Sequence, residues 1–569
     1  ELTPSAEVPA GGSVDVAFES EVKDVALWSD EFPNLYRVEI ELSDNDGIAD
    51  RRAFDFGFRE VRIQGMKDGR GPFILLNGKP IKIYGVNRHE FHPDYGHAVP
   101  RDLIEKDLLL CKANNITAVR NSHYPNCDAF YELCDKLGIL VMAETNLETH
   151  GLAMFIPKSS KKWVKQCVYR AMNMVERLKN HPCIISWSLG NEAGFGKDFA
   201  VMREEVLKRD TSRFIHYEPD QSGKVGDVLS EMYSHVEKMP VIGENRPMRH
   251  CYALWAPVGN KYTPEMYRDL PFIQCEYAHC MGNSLGNFSD YWDMFRKYDR
   301  LAGGFIWDFA DQAIHRKIDG KDAWLYGGDF GDKPNAGRFA FNGIVRGDRS
   351  PNPALFEVKH QYAKAGFEYK DGKLYVTNRH NFTDLNAFAF ETDISAEGKV
   401  LASAKAKIDC APGQTALCPV PEAALPENKE VVLNVRMITV KDEPFAPAGH
   451  IAASDQFVIK GFDFSAPEAV KGASLATFGD GYTVTAGGTV YTLSKGGLIV
   501  SAKKDGKEML SAPLSPNFTR AAIDNDALPQ VPSIISTIFM GKGKFRRAQK
   551  RLHATRVNVR EKDGTVIAD

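Results

Sequence analysis

The feature that most constrains the fold is a regular alternation between about residues 60 and 360. Short apolar segments typical of buried strands alternate with amphipathic segments typical of helices. The strand candidates are IKIYGVN, ITAVRNS, ILVMAET, IISWSLGNE, FIHYEP, VLSEMY, PFIQCEY and AGGFIWDF. The helical segments include DLIEKDLLLCKAN (102–114) and CDAFYELCDKLG (127–138), the second closed by Gly138. Eight such strand–helix units predict an α/β fold, a (β/α)8 TIM barrel.

A doubly wound sheet is the alternative that such an alternation leaves open. It is disfavoured because no Gly-x-Gly-x-x-Gly motif follows the first strand. The segment GNEAGFGKD is similar to a phosphate-binding loop, but the spacing before Gly196 is wrong and Asp198 replaces the required Ser or Thr. The sequence therefore favours the barrel.

All-β patterns flank the barrel on both sides. Residues 1–60 are predicted to form a partial immunoglobulin-like β-sandwich, because SVDVAFE and LYRVEIELSD alternate apolar with polar residues. After the barrel at 61–360, residues 361–456 are predicted to form a β-sandwich and residues 457–569 part of a C-terminal β domain. The basic stretch GKGKFRRAQKR is interpreted as a solvated face or loop.

The charge balance and the cysteines limit the partners and the compartment. The chain has 71 Lys and Arg against 75 Asp and Glu, a net charge of -4. This balance predicts no nucleic-acid partner and no membrane partner, and the sequence has no apolar run long enough to span a bilayer. The ten cysteines are scattered without a Cys-x-x-Cys pair. We interpret them as free buried thiols, which favours a reducing compartment and predicts a cytoplasmic location.

Polar side chains end every predicted strand. In barrels, the carboxyl ends of the strands form the rim where chemistry takes place. A single polar strand end is explained as well by contact with water, but the whole set is better explained by an active-site rim. The residues are Asn87, Arg88, His89, Asn121, Ser122, His123, Glu144, Asn191, Glu192, Glu218, Tyr233, Glu276, Trp307 and Asp308.

Glu192 and Glu276 stand out within this rim. Glu276 follows an apolar run in PFIQCEYAHCMGN, where an unpaired carboxylate is costly. Glu192 ends the fourth predicted strand and Glu276 the seventh, so we expect their side chains to face each other across the barrel mouth. Glycoside hydrolysis needs such a pair, one carboxyl protonated and the other ionised. A separation of about 5–5.5 Å indicates retention of configuration, and about 6.5–9.5 Å inversion.

Six segments of the predicted barrel resemble the signature segments of glycoside hydrolase family 2, and most closely those of its large bacterial β-galactosidases. The segments are GVNRHEFHPDYG, AVRNSHYPN, NLETHG, WSLGNEAGFG, CEYAHCMGNSLGNF and GGFIWDFADQ. The resemblance implies cleavage of terminal non-reducing β-D-galactosyl residues by a retaining double displacement. It also implies that Glu192 is the general acid/base and Glu276 the nucleophile.

The resemblance further implies cation and sugar ligands. Glu148 and His150 of NLETHG are expected to join Glu192 around Mg²⁺, which would favour the ionised form of the acid/base. The carbonyl of Phe339 and the side chain of Asn342, in GRFAFNG, are expected to bind Na⁺. Each residue also has a structural interpretation, such as a Glu–His hydrogen bond or a core aromatic. The implied sugar contacts are His89, His123, Asn191, Tyr233, His279 and Trp307.

Members of the family begin with a jelly-roll domain and end in a large C-terminal β domain. Against that pattern, the chain is expected to be a fragment without the jelly roll and without most of the C-terminal domain, which SPNFTRAAIDND (515–526) resembles at its start. We therefore expect weak or no activity of this chain alone, and a homo-oligomer for the full-length protein. Two alternatives remain: β-glucuronidase or β-mannosidase activity from the same two glutamates, and a non-catalytic carbohydrate-binding barrel.

Overall fold

The structure is a computed structural model that describes most of the chain. It covers residues 4–153, 155–250, 260–462, 472–517 and 557–568. Two features of the sequence fall elsewhere: the basic stretch GKGKFRRAQKR, and the part of SPNFTRAAIDND after Asn517, lie outside the described residues.

The first strands form two small antiparallel sheets before the barrel. A hairpin pairs β1 with β2, and a three-stranded sheet has the order β3-β4-β5. The strands are β1 (Tyr36–Asp44), β2 (Gly47–Phe56), β3 (Val61–Gln64), β4 (Phe73–Leu76) and β5 (Lys79–Pro80).

The central sheet is built from short strands that are buried along their whole length. This burial on both faces explains why they are continuous apolar runs in the sequence rather than alternating ones. In chain order they are β6 (Ile83–Arg88), β7 (Ala118–Asn121), β8 (Leu140–Glu144), β9 (Ile184–Ser188), β10 (Phe214–His216), β11 (Leu229–Met232), β14 (Phe272–Tyr277) and β15 (Leu301–Ile306). Between β11 and β14 the chain forms a separate antiparallel pair, β12 (Met248–Arg249) with β13 (Lys261–Tyr262).

The order of the sheet is β10-β9-β8-β7-β6-β15-β14-β11, and every pairing is parallel. The edge strands β10 and β11 follow each other in the chain, so the sheet runs once round a nearly closed ring. All eight predicted barrel strands are present. The α/β barrel prediction is therefore confirmed, and the doubly wound alternative is wrong.

Helices alternate with the strands of the ring. Helix α2 shows how the sequence sets their ends, because Asp128 lies in its first turn, Lys136 in its last, and Gly138 closes it with a left-handed φ of 67°. No helix within the described ranges has both the length and the apolar character needed to cross a bilayer. The helices are α1 (Arg101–Ala113), α2 (Asp128–Leu137), α3 (Val164–Leu178), α4 (Lys197–Arg209), α5 (Met239–Gly243), α6 (Pro264–Tyr267), α7 (Phe288–Lys297) and α8 (Pro353–Gln361).

Beyond the barrel strands, the chain forms a hairpin and then a β-sandwich. The hairpin is β16 (Ile314–Ile318) with β17 (Lys321–Leu325). One face of the sandwich strands is apolar and buried, as the alternating burial along β23 shows. The sandwich packs a sheet of order β18-β19-β22 on one of order β21-β20-β23-β24. Its strands are β18 (Ala365–Lys370), β19 (Lys373–Asn378), β20 (Phe388–Ala396), β21 (Lys399–Ala406), β22 (Thr415–Cys418), β23 (Val431–Thr439) and β24 (Ile451–Lys460).

The last described segments are again antiparallel sheets. A five-stranded meander is followed by a hairpin. The strands are β25 (Ser474–Phe478), β26 (Gly481–Ala486), β27 (Thr489–Leu493), β28 (Ile499–Lys504), β29 (Lys507–Glu508), β30 (Val559–Lys562) and β31 (Thr565–Ala568). The β-rich flanks agree with the predicted fold class, whereas the residue limits of the four domains stay a prediction.

Replacement of Gly138 by Ala should destabilise the barrel more than a left-handed backbone alone explains. The conformation itself costs a non-glycine residue about 1–2 kcal/mol, and the new Cβ would lie 2.6 Å from the carbonyl oxygen of Asp30. Gly320→Ala is the matched control, because Gly320 also has a left-handed φ (77°) but has no atom within 4 Å of its added Cβ. Urea unfolding of both variants measures the difference, and equal losses would contradict the close packing at Gly138.

Candidate active site

Arg120 lies at the centre of the barrel mouth and connects two carboxylates. It stands on β7 and is 0% exposed. Its Nε and Nη2 donate to the two oxygens of Glu144, on β8, at 2.9 and 3.0 Å, and its Nη1 donates to Oε1 of Glu276, on β14, at 2.9 Å. A buried guanidinium is tolerated only when its charge and donors are matched. Arg120 therefore fixes Glu144 and Glu276 relative to each other.

Arg120 also contacts three further polar residues of the rim. Nη1 donates to Asn87 Oδ1 at 3.0 Å, and Nη2 donates to Asn191 Oδ1 at 2.8 Å and lies 3.4 Å from His123 Nδ1. These partners come from the ends of β6, β7 and β9. One side chain thus joins five of the polar strand ends into a single network.

Glu276 accepts a hydrogen bond on each carboxyl oxygen. Arg120 donates to Oε1, and the hydroxyl of Tyr233 donates to Oε2 at 2.8 Å. His123 Nε2 lies 3.8 Å from Oε1. Both oxygens accept and neither donates, which is the arrangement of an ionised carboxylate.

Glu192 lies beyond the end of its strand rather than at it. Strand β9 ends at Ser188, and the chain then turns at Gly190, where any Cβ would lie 2.5 Å from the carbonyl oxygen of Leu147. Asn191 bridges to Glu148 after the turn, and Glu192 follows with a φ of 34°. The predicted placement at the strand end is therefore wrong by one turn, although the charge of Glu276 still acts on the Glu192 carboxyl.

The two glutamates share one electrostatic environment. Burial and then the charges of Glu276 and Glu148 together raise the pKa of Glu192 to about 8, against a smaller opposing effect of the Arg120 charge. Because a charge shifts a pKa appreciably only from nearby, this effect indicates that the carboxyl groups of Glu192 and Glu276 are neighbours at the barrel mouth. With a pKa of about 8, the Glu192 carboxyl is mostly protonated at neutral pH.

His123, His89 and Trp307 form an aromatic wall beside this pair. The rings of His123 and Trp307 stack with centroids 5.1 Å apart and planes 9° apart, and His89 meets Trp307 edge-on at 5.4 Å. Tyr124 orients His89, because its hydroxyl lies 3.1 Å from His89 Nδ1. Burial, reinforced by the neighbouring charge of His123, lowers the pKa of His89 to about 3, so this imidazole is neutral.

His279 forms another part of the cavity. Its ring lies 5.8 Å from the ring of Tyr233 and 5.5 Å from that of Phe339. Burial lowers the pKa of His279 to about 4. A neutral imidazole can donate from one nitrogen and accept at the other, which suits neighbouring sugar hydroxyls. The structure thus brings together all six residues predicted to contact the sugar.

Glu148, His150 and Glu192 are the expected magnesium ligands. His150 Nε2 lies 3.4 Å from Glu192 Oε2, and the charge of Glu148 acts on Glu192. Glu148 forms an isolated bridge with Asn191, and His150 opens a 3₁₀ turn (His150–Leu152) two residues later. The two carboxylates suit a hard divalent cation such as Mg²⁺, whereas the imidazole is a ligand more typical of transition metals. However, no group of three or more His, Cys, Asp or Glu in the described ranges is already arranged to hold a metal.

Phe339 and Asn342 are the expected sodium ligands. The Asn342 side-chain amide donates to the carbonyl of Phe339 at 3.1 Å, so the two groups are adjacent. The other amide atom, Asn342 Oδ1, is buried without a hydrogen-bond partner. An unpaired buried oxygen beside a carbonyl fits a small monovalent cation, since such ions are bound by oxygen atoms.

Arg120, Glu144 and Tyr124 are parts of the site that the sequence argument did not single out. From the sequence, Glu144 is predicted only to be a polar strand end, and Arg120 and Tyr124 only to be part of the segment AVRNSHYPN. The available signal was an arginine in the middle of AVRNSH, at the end of an apolar strand. A buried arginine must find carboxylates, so its position predicted a partner among the acidic strand ends.

Replacement of Glu192 by Gln should stabilise the metal-free protein, and more at high pH than at low pH. The folded pKa of about 8 lies above the ordinary value of 4.5. Between these values the folded state binds more protons than the unfolded state, so wild type loses stability as pH rises. The gain of the variant should reach a few kcal/mol by pH 8, at about 1.4 kcal/mol per pKa unit.

Urea unfolding at pH 5 and pH 8 in EDTA measures this gain. The control is Glu397→Gln, which removes one charge from an exposed ion pair with Lys429 in the sandwich. A gain for Glu192→Gln that is independent of pH would contradict the electrostatic coupling.

Comparison with solved structures finds similarity to two β-glucuronidases and a β-galacturonidase, among other chains. The β-glucuronidase from Ruminococcus gnavus in complex with D-glucuronic acid is 21% identical, with a TM-score of 0.45 over 60% of this chain and 58% of that one. The β-galacturonidase from Eisenbergiella tayi bound to galacturonate is 23% identical (TM-score 0.45; 61% of each chain), and the β-D-glucuronidase of Dictyoglomus thermophilum is 21% identical (0.44; 60% and 59%). The chain thus spans about three fifths of the length of these structures.

Three family descriptions match successive parts of the chain. Residues 3–59 match "Glycosyl hydrolases family 2", and residues 374–460 match "Beta-galactosidase, domain 4". Residues 68–367, more than half of the chain, match "Glycosyl hydrolases family 2, TIM barrel domain". With this match over the barrel that holds the two glutamates, the chain belongs to glycoside hydrolase family 2 and has a β-galactosidase-like architecture.

Proposed function

We propose that the chain carries the catalytic centre of a retaining glycosidase that releases terminal non-reducing β-D-galactosyl residues. The observation that supports this most is the contrast between the two glutamates in one cavity. Glu276 accepts hydrogen bonds from Arg120 and Tyr233. Glu192 has a pKa of about 8, raised by burial and by neighbouring carboxylates. One bare and one protonated carboxyl are what the first step of glycoside hydrolysis needs.

In the first step, Glu276 attacks the anomeric carbon and forms a covalent glycosyl-enzyme. Glu192 gives its proton to the oxygen of the leaving alcohol as the glycosidic bond breaks. Arg120 and Tyr233 hold the two oxygens of Glu276, so the attacking oxygen has a fixed direction. Their hydrogen bonds also make the carboxylate a better leaving group in the second step.

In the second step, water replaces the leaving alcohol. Glu192 is now ionised and accepts a proton from this water, whose oxygen attacks the anomeric carbon and releases Glu276. Once the charge of Glu276 is consumed in the ester bond, its share in raising the pKa of Glu192 disappears. The electrostatic coupling therefore favours each protonation state of Glu192 in the step that uses it.

The cavity wall supplies the groups proposed to bind the sugar. His89 and His279 are neutral and are proposed to hydrogen-bond hydroxyl groups, together with His123, Asn191 and Tyr233. One face of Trp307 is stacked on His123. The other face is proposed to pack against the apolar face of the sugar ring.

Two observations favour a neutral galactoside over a uronic acid. Residues 374–460 match a domain description specific to β-galactosidase. In addition, the donors of Arg120 are directed to Glu144, Glu276, Asn87 and Asn191. This guanidinium is thus committed to the protein and is not offered to the carboxylate of a uronic acid. A β-mannosidase would use the same two glutamates, so it is separated only by experiment.

Cations are proposed to complete the site. Glu148, His150 and Glu192 would hold Mg²⁺, and the carbonyl of Phe339 with Asn342 Oδ1 would hold Na⁺. When bound, Mg²⁺ would supply positive charge that lowers the pKa of Glu192 from its raised value toward neutral pH, so the carboxyl could still donate its proton in the first step and be ionised for the second. Because the Asn342 amide already lies against the Phe339 carbonyl, little rearrangement is needed to present Oδ1 beside it.

A panel of nitrophenyl β-D-glycosides tests the proposed activity. The galactoside should be hydrolysed with kcat/KM at least about tenfold above that of the glucuronide and the mannoside, a difference of about 1.4 kcal/mol in transition-state binding. Glu276→Gln should lower kcat by roughly 10³-fold or more while galactose binding persists, because only the attacking atom is lost. Glu397→Gln should leave kcat unchanged.

Trapping with a 2-fluoro galactoside locates the nucleophile independently of the turnover rate. Mass spectrometry should find the label on the peptide that contains Glu276. A label on another residue, or full turnover in Glu276→Gln, would refute the assignment. Sugar binding by the full-length protein without any hydrolysis or label would favour the non-catalytic carbohydrate-binding barrel.

Calorimetric titration of EDTA-treated protein tests the magnesium site. Glu148→Gln should weaken Mg²⁺ binding at least roughly tenfold, because loss of a charged ligand exceeds the usual effect of losing an outer partner. Glu397→Gln should bind Mg²⁺ as wild type does. Equal affinities in all three proteins would show that Glu148 is not a ligand.

A further inference from the structure

His216 occupies the one gap in the ring of barrel strands. It is the last residue of β10, is 0% exposed, and lies where β10 and β11 form no backbone ladder. Its Nε2 lies 2.9 Å from Ser230 Oγ on β11, and its Nδ1 lies 2.9 Å from Ser188 Oγ on β9. The imidazole thus joins the two edge strands through side chains.

From Ser188 the hydrogen bonds continue to the proposed nucleophile. The Ser188 hydroxyl donates to Glu144 Oε2 at 2.7 Å, and Glu144 accepts both Nε and Nη2 of Arg120. Arg120 in turn donates to Glu276 Oε1 at 2.9 Å. Every side chain from Ser230 to Arg120 is at most 2% exposed, so water does not compete for these hydrogen bonds.

The chemistry of Glu144 sets the direction of these hydrogen bonds. Burial alone raises the pKa of Glu144, but the charge of Arg120 and the hydrogen bonds of His123 and Ser188 lower it to about 2. An ionised carboxylate has no proton, so the Ser188 hydroxyl donates to it. Ser188 must then accept from Nδ1–H of His216, and the bare Nε2 accepts the hydroxyl proton of Ser230.

We propose that His216 is a positioning residue for Glu276, acting through Ser188, Glu144 and Arg120. It contacts neither the cavity pair nor any group proposed to bind sugar, so its effect is on geometry. By orienting the Ser188 hydroxyl it fixes the Glu144 carboxylate, and Glu144 fixes the guanidinium that holds the nucleophile. The proposal rests on the role of Glu276 given under the proposed function. Burial lowers the pKa of His216 to about 3, so the imidazole stays neutral and keeps this pattern across the working range of pH.

Kinetics of His216→Leu and His216→Gln test the effect on the reaction. Leu removes both hydrogen bonds and should lower kcat roughly 10- to 100-fold with KM little changed, the loss expected when a catalytic group is misplaced. Gln offers an amide donor and a carbonyl acceptor, so it should restore kcat to within about threefold of wild type. His181→Leu is the control. The His181 ring is hydrogen-bonded to Asp135, at 2.6 Å, and lies just ahead of β9 in the chain, outside the group of residues that connects His216 to Arg120.

A double-mutant cycle with Ser188→Ala tests whether His216 acts on Arg120 through the hydrogen bonds of Ser188. If His216 works through Ser188, the double variant His216→Leu/Ser188→Ala should lose no more kcat than the stronger single variant. Losses of kcat that multiply would overturn the proposal. So would unchanged kcat in His216→Leu, or an equal loss in His181→Leu.

A crystal structure of the His216→Leu chain decides the geometry even if wild type hydrolyses none of the glycosides. The contact between Arg120 Nη1 and Glu276 Oε1, 2.9 Å in wild type, should open beyond about 3.5 Å, where a hydrogen bond no longer forms. An unchanged contact would overturn the positioning role. An opened contact, together with a full-length protein that shows no turnover, would refute the proposed function alone.

Discussion

The buried guanidinium of Arg120 is the interaction on which the rest of the site depends. Removed from water, it is stable only when carboxylates and amides surround it, and these come from the ends of β6, β8 and β14 and from the turn after β9. The charge of Arg120 is therefore compensated only when these strands are paired in the register that brings their ends together. The packing that forms the barrel and the contacts that orient Glu276 are, in this molecule, the same set of interactions.

Strand pairing explains how a tyrosine distant in sequence reaches the proposed nucleophile. Strands β11 and β14 are parallel neighbours, and a shift in their register brings Met232 opposite Glu276. The backbone N–H of Tyr233 then donates to the carbonyl of Glu276 at 2.7 Å, and its hydroxyl turns back to Oε2. Two hydrogen bonds to one residue leave Glu276 little freedom to rotate, which a reaction sensitive to distance requires.

The regular parts of the fold could be predicted from the sequence, since they follow from local patterns. The eight barrel strands are apolar runs of the expected length, and α2 ends where Gly138 predicts. Parallel strands end at the same rim, so the polar residues at the strand ends predict most of the residues that lie together in the site. The central position of Arg120 in the site could not be predicted in this way, because it depends on which carboxylates, distant in sequence, accept its hydrogen bonds. Nor could the turn at Gly190, which places Glu192 beyond its strand and depends on the neighbouring backbone of Leu147.

The two glutamates are supported by different kinds of structure, and the difference matches the tasks proposed for them. Glu276 belongs to a strand and is held on both oxygens, so its position is fixed while its charge is compensated. Glu192 lies after a turn, with a left-handed backbone, beside Glu148 and His150, where charges rather than donors dominate. A nucleophile must be placed accurately, whereas an acid/base must gain and lose a proton at little cost. A rigid network around one carboxyl and a charge-sensitive environment around the other provide these two properties within a single cavity.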